Sequence, residues 1–124
     1  MLKIVILIPA YNCEPYIEAT LESLMEQGDA LRRVDRVILS DDCSRDRTVE
    51  VGRAAWKGPV PLEVFEAPEN RGEYKNMNEA VSRLAEDAEW FLVMHADNVA
   101  KSGWLAALLD RVAAADERLR AAVV

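Results

Sequence analysis

The amino-acid sequence predicts an α/β fold in which a mainly parallel sheet is flanked by helices, as in Rossmann-like domains. Short apolar runs rich in Val, Ile and Leu alternate with longer segments whose apolar residues recur at helical spacing. Alternation of this kind favours parallel strands joined by helical crossovers. Because the chain has 124 residues, we expect residues 1–124 to form a single domain with one core.

Prolines and a glycine mark the first elements. Residues 3–8 are nearly all β-branched or Leu, which is typical of a strand buried on both faces. Pro9 lacks a backbone donor and is expected to end that strand. Pro15 fits the first turn of the following helix, and Gly28 fits its end. Residues 34–40 then predict the second strand.

The remaining segments continue the alternation of helix and strand. The pattern predicts helices at residues 48–56, 73–85 and 102–115, and strands at 60–65, 90–94 and 120–124. The last of these, within the terminal RAAVV, would be a fifth strand. We expect its exposed backbone edge to be a candidate surface for dimerisation.

Composition excludes several classes of partner. The net charge of −7 argues against binding to nucleic acid or to anionic membranes. The apolar run IVILIPA is far shorter than a transmembrane span, so no transmembrane segment is predicted. With only Cys13 and Cys43, we expect reduced thiols and a cytoplasmic protein, the inner face of the membrane being a second location.

Polar groups follow each predicted strand. These segments are PAYN at 9–12, DDCSRD at 41–46, ENRGEYKNMN at 69–78 and HADN at 95–98. Each alone also fits a turn, a helix cap or a core histidine. Together they favour a ligand site, because parallel α/β sheets bind ligands beyond the carboxyl ends of their strands. No G-x-G-x-x-G follows the first strand, which disfavours a dinucleotide-binding oxidoreductase.

In this order, the four segments resemble the N-terminal, nucleotide-sugar-binding half of a family 2 glycosyltransferase with the GT-A fold. The P-x-Y-N pattern occupies residues 9–12, and D-D-x-S-x-D-x-T occupies 41–48. An N-x-G…N segment follows at Asn70, Gly72 and Asn78, and a D-x-D-type element at 95–97. The resemblance extends over almost the whole chain.

The resemblance implies a nucleotide pocket after the first two strands. Pro9, Ala10 and Tyr11 would line it, with the Tyr11 ring packed against the base. Asp41 would accept a hydrogen bond from the base or the ribose. Asp42 would also bind the nucleotide sugar, and it is expected to shape the loop.

Further binding residues are implied in the second half of the chain. Gly72 would let the backbone pass close to the ligand, and Lys75 would approach a phosphate. Ala96 and Asp97 belong to the D-x-D-type element, with Asp97 as a ligand of Mn²⁺ or Mg²⁺. His95 stands where the first Asp is usual, and either binds the metal or hydrogen-bonds the ribose. We expect weaker metal binding than a full D-x-D would give.

The function implied is binding of a nucleotide-diphosphate sugar, first of all a UDP-sugar, for glycosyl transfer to an unidentified acceptor. No residue can be assigned as the catalytic base. Because catalytic domains of this family continue roughly as far again, the resemblance implies a domain incomplete at its C-terminus and an inactive or poorly active fragment. The alternative is a non-catalytic nucleotide-binding module completed by another chain.

Overall fold

A computed structural model describes residues 2–123, with side chains described as far as residue 119. Its strands are β1 (Ile4–Ala10), β2 (Arg36–Asp41), β3 (Leu62–Glu66) and β4 (Trp90–Val93). Its helices are α1 (Glu14–Met25), α2 (Thr48–Ala55), α3 (Glu73–Leu84) and α4 (Trp104–Val123), and a 3₁₀ helix spans Gly28–Arg33. The alternation of four strands with four helices predicted for residues 3–115 is confirmed. Most element boundaries differ from the predicted ones by no more than two residues.

All strand pairs of the described sheet are parallel, in the order β3-β2-β1-β4. The chain therefore moves outward from β1 through β2 to β3, and then returns to place β4 on the other side of β1. That reversal opens a crevice between the carboxyl ends of β1 and β4, which is where such sheets bind their ligands.

The core lies on both faces of β1, whose residues are all buried. Ile4, Ile6 and Ile8 contribute to a large cluster shared with apolar residues of α1 and α4. Val5 and Leu7 contribute to a smaller cluster on the opposite face, shared with α3. The uninterrupted apolar run is thus explained by helices covering both sides of the strand.

Pro9 does not end the first strand, contrary to the sequence prediction. β1 continues to Ala10, and Pro9 is in register with Ser40 of β2. Backbone groups point alternately to the two neighbouring strands: the Leu7 carbonyl accepts from Met94 on the β4 side, and the Ala10 carbonyl accepts from Asp42 on the β2 side. By this alternation the position of Pro9 faces β4, whose pairing has already ended at Val93. The absent N–H therefore leaves the ladder to β2 intact.

The predicted fifth strand is wrong. Helix α4 continues to Val123, and Val124 lies outside the described residues. The segment before the final valines is rich in Ala, Leu, Arg and Glu, which favour a helix, and two terminal Val residues do not outweigh them. The edge strands of the described sheet are β3 and β4, so residues 120–123, which are helical, do not provide the strand edge expected for dimerisation.

Candidate functional site

The carboxyl ends of β1 and β2 lie side by side and bring the first two polar segments together. Ala10 is in register with Asp41, and the Asp42 N–H donates to the Ala10 carbonyl at 2.9 Å. The loops that follow, from β1 to α1 and from β2 to α2, are therefore neighbours. They form one wall of the crevice.

Side chain to backbone hydrogen bonds hold these two loops to each other. The Asn12 N–H donates to Ser44 Oγ at 2.9 Å, and the Arg45 N–H donates to Asn12 Oδ1 at 2.8 Å. The Cys13 N–H donates to Thr48 Oγ1 at 2.8 Å. Asn12 has a φ of 51°, a left-handed conformation that Asn tolerates better than most residues. The Asn of P-x-Y-N is thus required by the loop geometry.

Asp46 continues the same clamp. Its carboxylate accepts the N–H of Glu14 at 3.1 Å, the N–H of Thr48 at 3.0 Å and the Thr48 hydroxyl. Burial opposes ionisation of Asp46, but these donated hydrogen bonds outweigh it and hold the pKa of Asp46 below its ordinary value. The later residues of the D-D-x-S-x-D-x-T motif therefore shape the loops around the site.

Asp41 is bound within its own turn. Its two carboxylate oxygens accept the Ser44 N–H at 2.9 Å and the Ser44 hydroxyl at 2.6 Å. The residue is buried, at 3% exposure. Contact between Asp41 and a nucleotide base or ribose stays a prediction.

Asp42 fixes the segment that precedes α3. Its carboxylate accepts the N–H groups of Arg71 at 2.8 Å and Gly72 at 2.9 Å, while its carbonyl accepts from Asn70 Nδ2 at 3.2 Å. Gly72 has φ 91° and ψ 154°, a conformation that is accessible essentially only to glycine. A Cβ at Gly72 would meet nothing within 4 Å, so its backbone angles, rather than crowding, require glycine there.

A small cavity of about 80 Å³ lies over the end of β1. Its lining includes four residues that were predicted as site residues from the sequence: Pro9, Ala10, Tyr11 and Asp42. It also includes two that were not, Glu73 and Asn76. The Tyr11 side chain is available to a ligand, since the residue is 44% exposed. The structure thus brings three of the predicted base-pocket residues together with Asp42.

Asn76 is fully buried and only half satisfied. Its Nδ2 donates to the Ser40 carbonyl at 3.0 Å and to Ser40 Oγ at 2.9 Å, which ties α3 to β2. Its Oδ1 has no hydrogen-bond partner among the described residues. The sequence prediction did not include Asn76, although its position one helical turn after Glu73 places both residues on one helix face.

The segment after β4 faces the start of α3. His95 Nε2 lies 2.8 Å from Glu73 Oε1. The Asn98 N–H donates to the His95 carbonyl at 3.1 Å and closes a turn. Ala96 is buried at 2% exposure, and its carbonyl accepts the Thr20 hydroxyl of α1 at 2.8 Å. This turn sets the position of Asp97.

Polar side chains further along and just after α1 hold the chain beyond this turn. Ser23 Oγ accepts the Ala100 N–H at 2.9 Å. Gln27 Nε2 donates to the Lys101 carbonyl at 3.0 Å, and Gln27 Oε1 accepts the Leu105 N–H at 3.0 Å. Sequence reasoning assigned α1 only an apolar face and missed this anchoring role.

The crevice has an acidic character. Burial raises the pKa of the Cys13 thiol, and the negative charges of Asp97, Asp46 and Asp41 raise it further. Asp97 itself is exposed at the surface. Lys75 is exposed, and at about 100° per residue it lies well around α3 from both Glu73 and Asn76. A role for Lys75 at a phosphate stays a prediction.

The protein alone does not form a complete metal cage within residues 2–123, where no three His, Cys, Asp or Glu side chains cluster suitably. Mg²⁺ is commonly held by one or two carboxylates together with substrate phosphates and water. An exposed Asp97 at the mouth of the crevice is compatible with that arrangement. His95 as a metal ligand stays a prediction, and its Nε2 faces Glu73.

The family model of Glycosyl transferase family 2 matches residues 5–119. The chain belongs to this family. The match includes every element of the fold from β1 to most of α4, and all four polar segments that line the crevice.

Known relatives agree with this assignment. Poly(ribitol-phosphate) beta-N-acetylglucosaminyltransferase TarS of Staphylococcus aureus, from strains Mu50 and MW2, is 33% identical over 72 residues. That alignment covers 58% of this chain and 12% of the relative, so the chain spans a small part of the curated proteins it matches.

Solved structures of TarS extend the comparison to the fold. TarS 1–349 in complex with UDP-GlcNAc matches 94% of this chain and 32% of its own, with 28% identity and a TM-score of 0.74. The complex of TarS 1–349 with UDP matches the same share of each chain, with 30% identity and a TM-score of 0.68. The GT-A fold expected from the sequence is confirmed. Over the described part of the chain, no helix has the length and apolar character needed to cross a membrane.

Proposed function

We propose that this chain forms the donor-binding part of a glycosyltransferase and binds a nucleotide-diphosphate sugar, with a UDP-sugar as the first candidate. One observation carries the proposal: the chain matches, over 94% of its length, a TarS structure in complex with UDP-GlcNAc. The polar ends of β1, β2 and β4 meet at the crevice where a parallel sheet of this order binds ligands.

The cavity over the end of β1 would receive the nucleoside. Pro9 and Ala10 supply its apolar wall, and the exposed Tyr11 ring offers a surface on which a base can stack. Stacking against an aromatic ring is favourable for any base, so these residues support affinity more than base selectivity. The diphosphate would then lie toward the segment after β4.

Asp97 would hold a divalent cation, Mn²⁺ or Mg²⁺, which would supply positive charge next to the diphosphate. Asp97, Asp46 and Asp41 give this edge a negative potential, as their effect on the Cys13 thiol indicates. A diphosphate brings further negative charge to the same place. A bound cation supplies the neutralising charge that lets a nucleotide diphosphate leave. Asp97 would hold this cation, while the hydrogen-bonded turn at 95–98 fixes where its carboxylate sits.

Titration of nucleotides tests the proposal. UDP, GDP and TDP are titrated into the protein with and without Mn²⁺, followed by calorimetry and by melting temperature. A ligand that binds only the folded state raises the melting temperature as its concentration exceeds its Kd. We expect UDP to bind and Mn²⁺ to tighten the binding. If none of the three nucleotides binds in either condition, the proposed donor site is wrong.

A catalytic assembly and a purely binding module make different predictions for the same sample. A chain that retains glycosyltransferase chemistry should slowly hydrolyse or transfer the sugar of UDP-GlcNAc, whereas both a binding module and an inactive fragment would leave the bound sugar intact. A cytoplasmic location, with the inner membrane face as second location, stays a prediction. Dimerisation through an exposed sheet edge also stays a prediction.

A further inference from the structure

The polar lining of the cavity over β1 consists mainly of hydrogen-bond acceptors. Asp42 already accepts two backbone N–H groups, from Arg71 and Gly72. Glu73 adds a second carboxylate. Such a lining repels phosphate oxygens, which are themselves negatively charged acceptors. It suits the N–H and O–H donors of a nucleoside.

Glu73 is the acceptor best placed to meet a ligand. It is the first residue of α3, and its side chain is 39% exposed, so it is reachable from solvent while still lining the cavity. His95 Nε2, 2.8 Å from Glu73 Oε1, holds one oxygen of the carboxylate. The second oxygen is left to accept another donor, since a carboxylate has about four lone-pair positions.

Asn76 lies one turn further along α3 and lines the same cavity. Its amide nitrogen donates to Ser40, and its carbonyl oxygen has no hydrogen-bond partner among the described residues. Because Asn76 is fully buried, Glu73 is the acceptor of the two that a ligand can reach.

We propose that Glu73 is a specificity-determining residue whose carboxylate accepts a hydrogen bond from the nucleoside part of a nucleotide diphosphate, and that His95 is the positioning residue that holds it. This inference rests on the proposed function of the crevice. The donor is an N–H of the base or a hydroxyl of the ribose. His95 then acts across the crevice, from the segment after β4 onto α3, through the group it orients.

Two analogues of UDP separate the sources of the donor. The 2′,3′-dideoxy analogue lacks both ribose hydroxyls, and the analogue methylated at N3 of uracil lacks the base N–H. Binding of UDP and both analogues is measured by calorimetry in the presence of Mn²⁺. We expect UDP to bind about tenfold or more tightly than one of the analogues, because a hydrogen bond to a charged acceptor is among the stronger ones. The weakened analogue identifies the donor.

The variant Glu73→Ala should remove that preference. UDP binding should weaken to the level of the discriminated analogue, whose own affinity should change little. In Glu73→Gln, which keeps a neutral acceptor, we expect a smaller but measurable preference. Wild-type protein that binds UDP and both analogues equally overturns the inference, as does a preference that survives in Glu73→Ala.

Matched variants test the positioning role and the specificity of the effect. His95→Ala should reduce the preference, and His95→Gln, which keeps an N–H donor, should retain it. Glu69→Ala makes the same charge change at an exposed residue that does not line the cavity, and should leave the preference as in wild type. If His95→Ala leaves the preference intact, the positioning role is wrong. Wild-type protein that binds no nucleotide at all contradicts the proposed function instead.

Discussion

Asp97 is the side chain on which the proposed cation site depends. It is exposed at the mouth of the crevice, in a turn fixed by the Asn98 to His95 hydrogen bond and by the Thr20 contact to Ala96. The acids of the D-D-x-S-x-D-x-T segment differ from it, because Asp41, Asp42 and Asp46 are all engaged by donors of the protein. A free carboxylate is a better cation ligand than one that already accepts several hydrogen bonds.

Asp97→Ala is expected to abolish the effect of Mn²⁺ on UDP affinity while leaving the fold intact. The reason is that the exposed Asp97 side chain makes no hydrogen bond or ion pair with the described residues, so its loss should cost little stability, whereas the cation loses its protein ligand. Calorimetric titration of UDP with and without Mn²⁺ measures the effect. His95→Asp, which restores the first acid, should strengthen the Mn²⁺ dependence.

Asp29→Ala provides the control for that experiment. It removes the same charge from a fully exposed side chain in the 3₁₀ helix before β2. Its Mn²⁺ dependence should equal that of wild type. A Mn²⁺ effect that persists undiminished in Asp97→Ala would contradict the assignment of Asp97.

The site residues were only partly predictable from the sequence. Pro9, Ala10 and Tyr11 lie at the end of a recognisable strand, so their meeting at one cavity could be expected. The pairing of His95 with Glu73 could not, because nothing in the local pattern around either residue indicates the other. It depends on how α3 and the end of β4 are arranged across the sheet, which is a tertiary property.

Among the elements, the segment between β3 and α3 is held in position by one side chain, that of Asp42, which directly follows β2. Asp42 accepts both backbone N–H groups of Arg71 and Gly72, and thereby fixes the point at which α3 begins. The backbone angles of Gly72 allow the chain to make this turn. Glu73 follows at once, so the position of the cavity wall is set by Asp42.

Asp42→Ala is therefore expected to destabilise the fold by about 2–4 kcal/mol, since two buried or half-buried N–H groups lose a charged acceptor. Equilibrium unfolding in urea measures the change. Asp42→Asn, which keeps one acceptor oxygen, should cost about half as much.

The comparison variant for Asp42 is again Asp29→Ala, which should unfold within about 0.5 kcal/mol of wild type. An Asp42→Ala protein as stable as wild type would show that the N–H groups find other partners. Loss of UDP binding without loss of stability would instead give Asp42 a direct role in the ligand site.

Element types were easier to predict than element ends. Hydrophobic periodicity identified β1 to β4 and the helices between them, because burial on the sheet dictates that pattern. Continuation of α4 through residue 123 was missed, since the terminal valines fit a strand as well as a helix by local pattern alone. The polar anchoring by Ser23 and Gln27 was missed because their partners are backbone groups, which leave no signature in the sequence.

Across the whole molecule, the carboxyl and amino ends of the strands are held by different interactions. Hydrogen bonds to backbone groups connect the loops at the carboxyl ends. At the amino ends of the strands, the largely buried Arg36 side chain pairs with Asp35, Glu63 and Asp87, and donates to the Leu84 carbonyl. Lys3 pairs with Asp87 from the other side at 2.8 Å.

This charged cluster predicts a pH dependence of stability at acid pH. Hydrogen bonds from Lys3 and then Arg36 lower the pKa of Asp87 to about 2. Because the folded-state pKa is below the ordinary value, the contribution is fully present above about pH 4 and is lost as pH falls through about 2. The effect should be modest, since the Lys3 and Asp87 side chains are about half exposed and water screens the pair.

The measurement is the urea midpoint of wild type and Asp87→Asn between pH 7 and pH 2. We expect wild type to be the more stable protein at neutral pH, with the difference shrinking toward zero near pH 2. Added salt should reduce the difference at neutral pH. A difference that is independent of pH would show that packing, not charge, accounts for the effect of Asp87.

Pro9 has a consequence for the shape of the binding crevice as a whole. Two adjacent parallel strands can extend their pairing wherever a backbone N–H of one strand meets a backbone carbonyl of the other. At the next pairing position after Leu7 and Val93, Pro9 presents a ring carbon to β4 where another residue would present a backbone N–H. Pro9 therefore prevents the pairing of β1 with β4 from extending at this position, beside the crevice proposed to bind the donor. The residue expected to end a strand instead limits how far two strands pair.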